Sequence, residues 1–154
     1  MRLFLECKPD ETLAVALGVK AKDITHCHGK GRVSKYLAKH SGVTGMVDED
    51  PNSKSAEPLT LRRFVESGFE HDVRFKVEKT TNNRLVVICP RLEPWLIKTA
   101  RDARLKLSES GLSDDLSELD AIINHRLREL EAVLAELLKA RSPRLLHLKS
   151  LLGP

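Results

Sequence analysis

No stretch of this chain approaches the roughly 18 consecutive apolar residues that a membrane-spanning helix needs. The opening segment, MRLFLECKPDE, runs from three apolar residues into charges. It has neither a long apolar core nor a small-residue cleavage site, so export is not expected. Cysteine is scarce: Cys7, Cys27 and Cys89 form an odd set without CxxC spacing. That argues against a disulfide framework and an ordinary zinc ribbon, and predicts reduced thiols in a cytoplasmic protein. Internal repeats and low-complexity tracts are missing, and the glycines nowhere take the GxxxxGKS/T spacing of a Walker loop.

What is present is ordinary for a globular chain, with 41% hydrophobic and 31% charged residues in 154 positions. That length accommodates one compact domain, or one domain with a helical extension, able to fold alone. The net charge of +4 is modest but unevenly spread. Lys20, Lys22, Lys30, Arg32, Lys35 and Lys39 face a single acid, Asp23, between positions 20 and 39. Such a segment either attracts a polyanion such as nucleic acid or forms a solvated helix face.

Along the chain, residues 2–6 (RLFLE) predict a short strand, and Pro9 opens a helix that Gly18 stops. Residues 23–27 predict a second strand, HGKGR a turn, and the segment carrying Val33, Tyr36 and Leu37 a second helix closed by Gly42. Residues 43–47 (VTGMV) predict a third strand that ends at Asp48. The order β-α-β-α-β implies an α/β fold with mostly parallel strands joined by crossovers. A polar loop over 51–60, a short helix over 61–67, and strands over 73–78 and 84–89 joined as an edge hairpin follow. From Pro94 the pattern predicts a helix to about Leu107, and then one amphipathic helix of about six turns over 113–138. Ser142-Pro143 breaks it before a last short helix. These expectations divide the chain into an α/β domain over 1–96 and a helical extension over 97–154, packed on the domain or on a second subunit as a homodimer.

Ligands of parallel sheets bind beyond the carboxyl ends of the strands. Glu6 ends the first predicted strand, Asp48 ends the third, and Asp50 lies two residues on, so the pattern gathers three acids at one edge. Carboxylates so placed share protons, take a basic partner or bind a cation. Mg²⁺, or Mn²⁺ in its place, suits an oxygen-only set.

This order, with Glu6 in LFLECKPDE, glycines in HCHGKGR and Asp48-Glu49-Asp50 after VTGMV, resembles the toprim domain of topoisomerases, primases, OLD-type nucleases and small stand-alone proteins. The resemblance covers roughly residues 2–50 and extends more weakly to about 96. It implies that Glu6 acts as a general acid or base in phosphodiester chemistry and that Asp48 and Asp50, with Glu6, coordinate a divalent cation. The chain departs from the family pattern in having Cys7 where glycine is usual and Pro51 after the acidic pair. The only tyrosine, Tyr36, falls in a helix away from any strand end. A topoisomerase-type covalent step is therefore not expected; metal-dependent hydrolysis of nucleic acid is, with a non-catalytic module acting through a protein partner as the alternative.

Gly29, Lys30 and Gly31 either present backbone N–H groups and a lysine to a phosphate at a helix N-terminus or form a plain tight turn. Lys8, Arg32 and Arg91 complete the candidates for substrate phosphate. Glu93 is either a further metal ligand or an acid favoured by the helix dipole. Strand alternation puts Cys27 on one face and His26 and His28 on the other, so Cys27 is expected in the core rather than in a soft-metal site.

Overall fold

In a computed structural model that describes residues 1–153, the first half alternates strand and helix as its pattern predicts. β1 (Leu3–Leu5), α1 (Lys8–Ala16), β2 (Ile24–His26), α2 (Lys30–Lys39) and β3 (Thr44–Asp48) follow in order. β4 (Val65–Glu70), β5 (Val73–Glu78) and β6 (Asn83–Ile88) complete a six-stranded mixed sheet of order β2-β1-β3-β6-β5-β4. β1 pairs in parallel with β2 and β3, and β3 with β6. β5 pairs antiparallel with β6, as expected of a hairpin, and also with β4, so β4 and not that hairpin forms the sheet edge. Among the described residues the remaining α-helices are α3 (Leu92–Asp102), α4 (Leu116–Ile122), α5 (Leu127–Lys139) and α6 (Pro143–Leu152). None is long and apolar enough to cross a membrane.

Alternation along the buried strands splits the core in two. Leu3, Leu5, Met46, Val86 and Ile88 point to one face, where α1 and the C-terminal helices cover them. Phe4, Val47, Leu85 and Val87 point to the other, under Val33 and Leu37 of α2. Leu130, Leu134 and Leu137 of α5 are fully buried in the first cluster. The apolar stripe of the C-terminal half is thus covered within one chain.

Three expectations are corrected. The segment read as a helix over 61–67 has only a 3₁₀ turn over Leu61–Arg63 before the chain extends into β4. Every residue of β4 is exposed, so no period-two burial marks it as a strand. The helix read over 113–138 is instead α4, a 3₁₀ turn over Ile123–His125 and α5. Leucine spacing survives that bend because each piece aims its own apolar side at one core, while β-branched Ile122 and Ile123 and the weak helix formers Asn124 and His125 favour a break there. α3 begins at Leu92 and ends at Asp102, earlier than expected, where Arg104 turns the chain at a φ of 58°.

Asn83 joins the two layers. Its Oδ1 accepts from the Val43 N–H at 3.0 Å, and its Nδ2 donates to the carbonyls of Leu37 and His40 at 2.9 Å each. One buried amide therefore closes the C-terminus of α2 and starts β3. Asn83→Ala should lose about 2–4 kcal/mol in urea unfolding, because buried backbone groups at both elements lose their partner. A loss under about 0.5 kcal/mol would show that the joint carries no weight.

Candidate functional site

The chain reverses direction across the sheet between β1 and β3. The first crossover, through α1, leads from β1 to β2 on one side; the second, through α2 on the opposite face, leads to β3 on the other. Such a switch point leaves a crevice beyond the carboxyl ends of the two strands. Leu5 lies opposite Met46, and Asp48 opposite Ile88, so Glu6, Asp48-Glu49-Asp50 and Cys89 to Glu93 all emerge at this edge.

The structure brings Glu6 and Asp48 into contact through the main chain: the Asp48 N–H donates to Glu6 Oε2 at 2.8 Å. Burial pushes the Glu6 carboxyl above its ordinary range, while the N–H groups of Asp48 and Lys30 and the Lys30 charge oppose that rise. Glu6 thus occupies the N-terminus of α2, where Gly29 takes a φ of 128°. The Lys30 ammonium donates to the Glu49 carbonyl at 3.0 Å. Glu6, Lys30, Gly31, Glu49, Asp50 and Arg74 line one cleft of about 640 Å³.

Asp48 does not line that cleft. Its Oδ1 is buried without a hydrogen-bond partner. Burial first, and then Asp10, Glu6, Glu93 and Asp50, push its carboxyl well above the usual range. Asp10 is the member that sequence reasoning missed. It lies in the first turn of α1, 2% exposed, where its Oδ2 accepts from the Cys7 N–H at 3.2 Å and the Cys7 thiol at 3.0 Å. Its Oδ1 has no partner, and burial also raises its pKa, with Glu6 and Glu93 adding to the rise. In the sequence Asp10 looks like an ordinary acid complementing a helix N-terminus. Its burial depends on α1 lying across the sheet, which only the fold determines.

The other candidates separate. Asp50 is exposed on the cleft wall at a φ of 52°, held by its N–H to the Pro90 carbonyl. Glu93 stands on α3 beside Arg91, whose guanidinium is bound by Glu93 and by both oxygens of Asp120. Arg91 is thus already paired. Lys8 is exposed and paired with Glu11 at 3.5 Å, and Arg32 is exposed on α2. Cys27 is buried as expected; the rings of His26 and His28 lie 4.0 Å apart on the outer side. Two further cleft residues went unread. Glu49 accepts from Arg74 Nε at 3.1 Å, and Arg74 also donates to Glu66 at 2.8 Å. An arginine inside a strand carries no sequence signal that it will reach a site.

Among the described residues no three His, Cys, Asp or Glu side chains converge as a ready-made ligand set. Mg²⁺ is commonly held by one or two carboxylates with waters and phosphate oxygens completing its shell. The buried, partnerless Oδ1 of Asp48 beside further carboxylates fits that manner of binding. A thiol contribution does not: burial and the nearby Asp10 hold the Cys7 thiol far above its ordinary pKa.

The carboxyl shifts fix a pH dependence. Asp48 titrates near its ordinary value of 3.8 when unfolded and higher when folded. Below about pH 4 both states bind the proton; above it the unfolded chain releases the proton first, so stability falls as pH rises. In chelator, the protein should therefore lose stability from about pH 5 to pH 8, and Asp48→Asn should flatten that slope and raise the Tm at pH 8 by roughly 2–8 °C. A parent slope left unchanged by Asp48→Asn would remove Asp48 as its source.

No protein-family model matches the chain, and neither a curated protein nor a solved structure is significantly similar to it.

Proposed function

We propose that this chain carries out divalent-cation-dependent phosphoryl transfer on nucleic acid, by phosphodiester hydrolysis, and that it is a toprim-type protein. The observation that carries the reading is the buried, partnerless Oδ1 of Asp48, set among Asp10, Glu6, Glu93 and Asp50 at the carboxyl edge of the parallel strands. An accumulation of like charge is costly unless something positive offsets it. Asp48 and Asp50, with Glu6, are the residues to hold Mg²⁺ or Mn²⁺, and Glu93 is a secondary candidate. Bound there, the ion supplies Lewis-acid polarisation of a phosphoryl oxygen.

The chain's own groups have separable parts. Glu6 is fixed by the Asp48 N–H and faces the cleft, which suits a positioned general acid or base. Lys30 and Lys76 stand on the same cleft and can receive phosphate oxygens. Tyr36 lies on α2, stacked 5.0 Å from Phe4, outside the cleft lining. Water, activated through Glu6, is therefore the nucleophile in this reading.

A second reading, a binding module without turnover, has one observation in its favour: no three-ligand metal set is assembled in advance. One experiment separates the two. Labelled single- and double-stranded DNA and RNA are incubated with Mg²⁺ or Mn²⁺, and Mn²⁺ binding is followed in parallel by electron paramagnetic resonance. Metal-dependent cutting is expected, lowered roughly 10²–10⁴-fold in Glu6→Gln, with Mn²⁺ binding weakened less than in Asp48→Ala. In Asp48→Ala and Asp50→Asn both cutting and Mn²⁺ binding should fall. Cutting by Asp48→Ala at the parental rate sinks the assignment, and a folded, Mn²⁺-binding parent that cuts nothing moves the choice to the binding module.

A further inference from the structure

A second cleft, of about 440 Å³, opens beside the first, and Glu49 and Arg74 line both. Its charge is of the opposite sign. Arg74, Lys98, Arg101 and Arg144 line it against only Glu49 and Asp72, whereas Glu6, Glu49, Asp50 and Glu57 outnumber Lys30, Arg74 and Lys76 in the first. Lys98 and Arg144 bind the same carboxylate oxygen, Asp72 Oδ2, at 2.9 and 2.8 Å, so two cations share one acid. Arg101 is exposed and, among the described residues, forms no ion pair within 4.0 Å. Of the two ends, the second is therefore the more attractive to an anion.

The second cleft also carries an aromatic ring in the open. Phe69 on β4 is 51% exposed, with the Arg74 guanidinium 4.3 Å from its ring centre. Trp95, on the same cleft, is only 1% exposed and keeps its indole N–H on the His71 carbonyl, so it serves as floor rather than contact. β4 breaks its register with β5 between Glu66 and Gly68, just before Phe69. Half of a phenyl ring left in water forgoes burial that would stabilise the fold by about 1 kcal/mol or more. A ring held by an arginine beside a cation-lined groove is the combination on which unstacked bases settle.

We infer that the two clefts form one groove for single-stranded nucleic acid, in which Phe69 stacks a base and the Lys98–Arg101 end, over the buried Arg144, takes phosphates next to the one at the acidic edge. The inference deepens the hydrolysis reading and rests on it only for where the reacting phosphate lies. Duplex is disfavoured because its bases are stacked inside and cannot reach Phe69. A mononucleotide would leave the basic end unfilled.

The test is equilibrium binding of the full chain, in EDTA, to labelled single strands of about 12 nucleotides, a length within the usual span of a stacking groove. Phe69→Ala should weaken binding roughly 5- to 150-fold, the range for losing one stacked base, and Phe69→Trp should restore it to within about 3-fold. Arg101→Ala should lower the slope of log affinity against log salt by about 0.7, the value for one single-strand phosphate, whereas Lys139→Ala on the exposed side of α5 should leave it unchanged. Equal binding by Phe69→Ala, duplex bound as tightly as single strand, or equal competition by polyglutamate would overturn the inference. Phe69-dependent binding in EDTA by a protein that cuts nothing with metal would uphold the groove while sinking the hydrolysis proposal.

Discussion

The placement of Leu5 opposite Met46 is the constraint from which the carboxyl edge follows. With that register Glu6 leaves β1 level with the end of β3, and its carboxylate meets the Asp48 N–H at 2.8 Å. A slip of one residue would exchange the faces of β1, driving Phe4 into the α1 side and Leu3 and Leu5 into the α2 side. Gly45 protects the arrangement from the other layer. A Cβ there would lie 3.0 Å from Leu37 Cδ1 and 3.2 Å from both Leu85 Cδ1 and Val33 Cγ1, so any larger residue would press on these side chains where α2 meets β3. That approach brings the first residue of α2, Lys30, to Glu6 and to the Glu49 carbonyl.

Stability for this edge comes from elsewhere in the molecule. Asp10 and Asp48 each hold a buried oxygen without a partner, a condition that costs free energy. Leu130, Leu134, Leu137, Leu145 and Leu148 are fully buried on the opposite side of the same core, each contributing about 1.5–3 kcal/mol relative to exposure. The C-terminal helices are also fastened to the groove. Arg144 donates to Thr99 Oγ1 at 2.9 Å and to Asp72 at 2.8 Å, with its guanidinium 5.1 Å from the Trp95 ring centre. The extension thus fixes the start of β5 and one wall of the second cleft, which links a packing feature to a surface able to meet a ligand.

The placement of Glu6, Asp48 and Asp50 at one edge was legible because strand ends in a β-α-β-α-β pattern bring their following residues together there whatever the details of packing. Cys27 was legible for a similar local reason, strand alternation. Asp10 was not, since an acid in the first turn of a helix has a sufficient local explanation and its burial depends on α1 lying across the sheet. β4 was hidden because it is exposed on every residue, so neither period two nor an apolar run distinguishes it. The break between α4 and α5 was hidden for the opposite reason: both sides of the bend serve one core, so leucine spacing runs through it undisturbed. Arg74 and Phe69 reach the groove only through the antiparallel pairing of β4 and β5, a contact that spacing cannot disclose.

The triplet Asp48-Glu49-Asp50 shows how three adjacent acids avoid acting as one charge. Asp48 is the last residue of β3 and turns towards Asp10 and Glu93. Glu49 turns to the other side, where Arg74 binds it and the Cys89 thiol approaches at 3.5 Å; burial, and then that contact, push the thiol up to about 11. Asp50 takes a left-handed backbone conformation that aspartate tolerates better than most residues, which brings it to the cleft wall. Neutralising Glu49 within the protein leaves Asp48 and Asp50 as the acids without a cationic side chain bound to them. An Asp-x-Asp pair is therefore more than a spacing here: the middle residue is the anchor that ties the acidic edge to β5, and with Arg74 it lines both the acidic and the basic end of the groove.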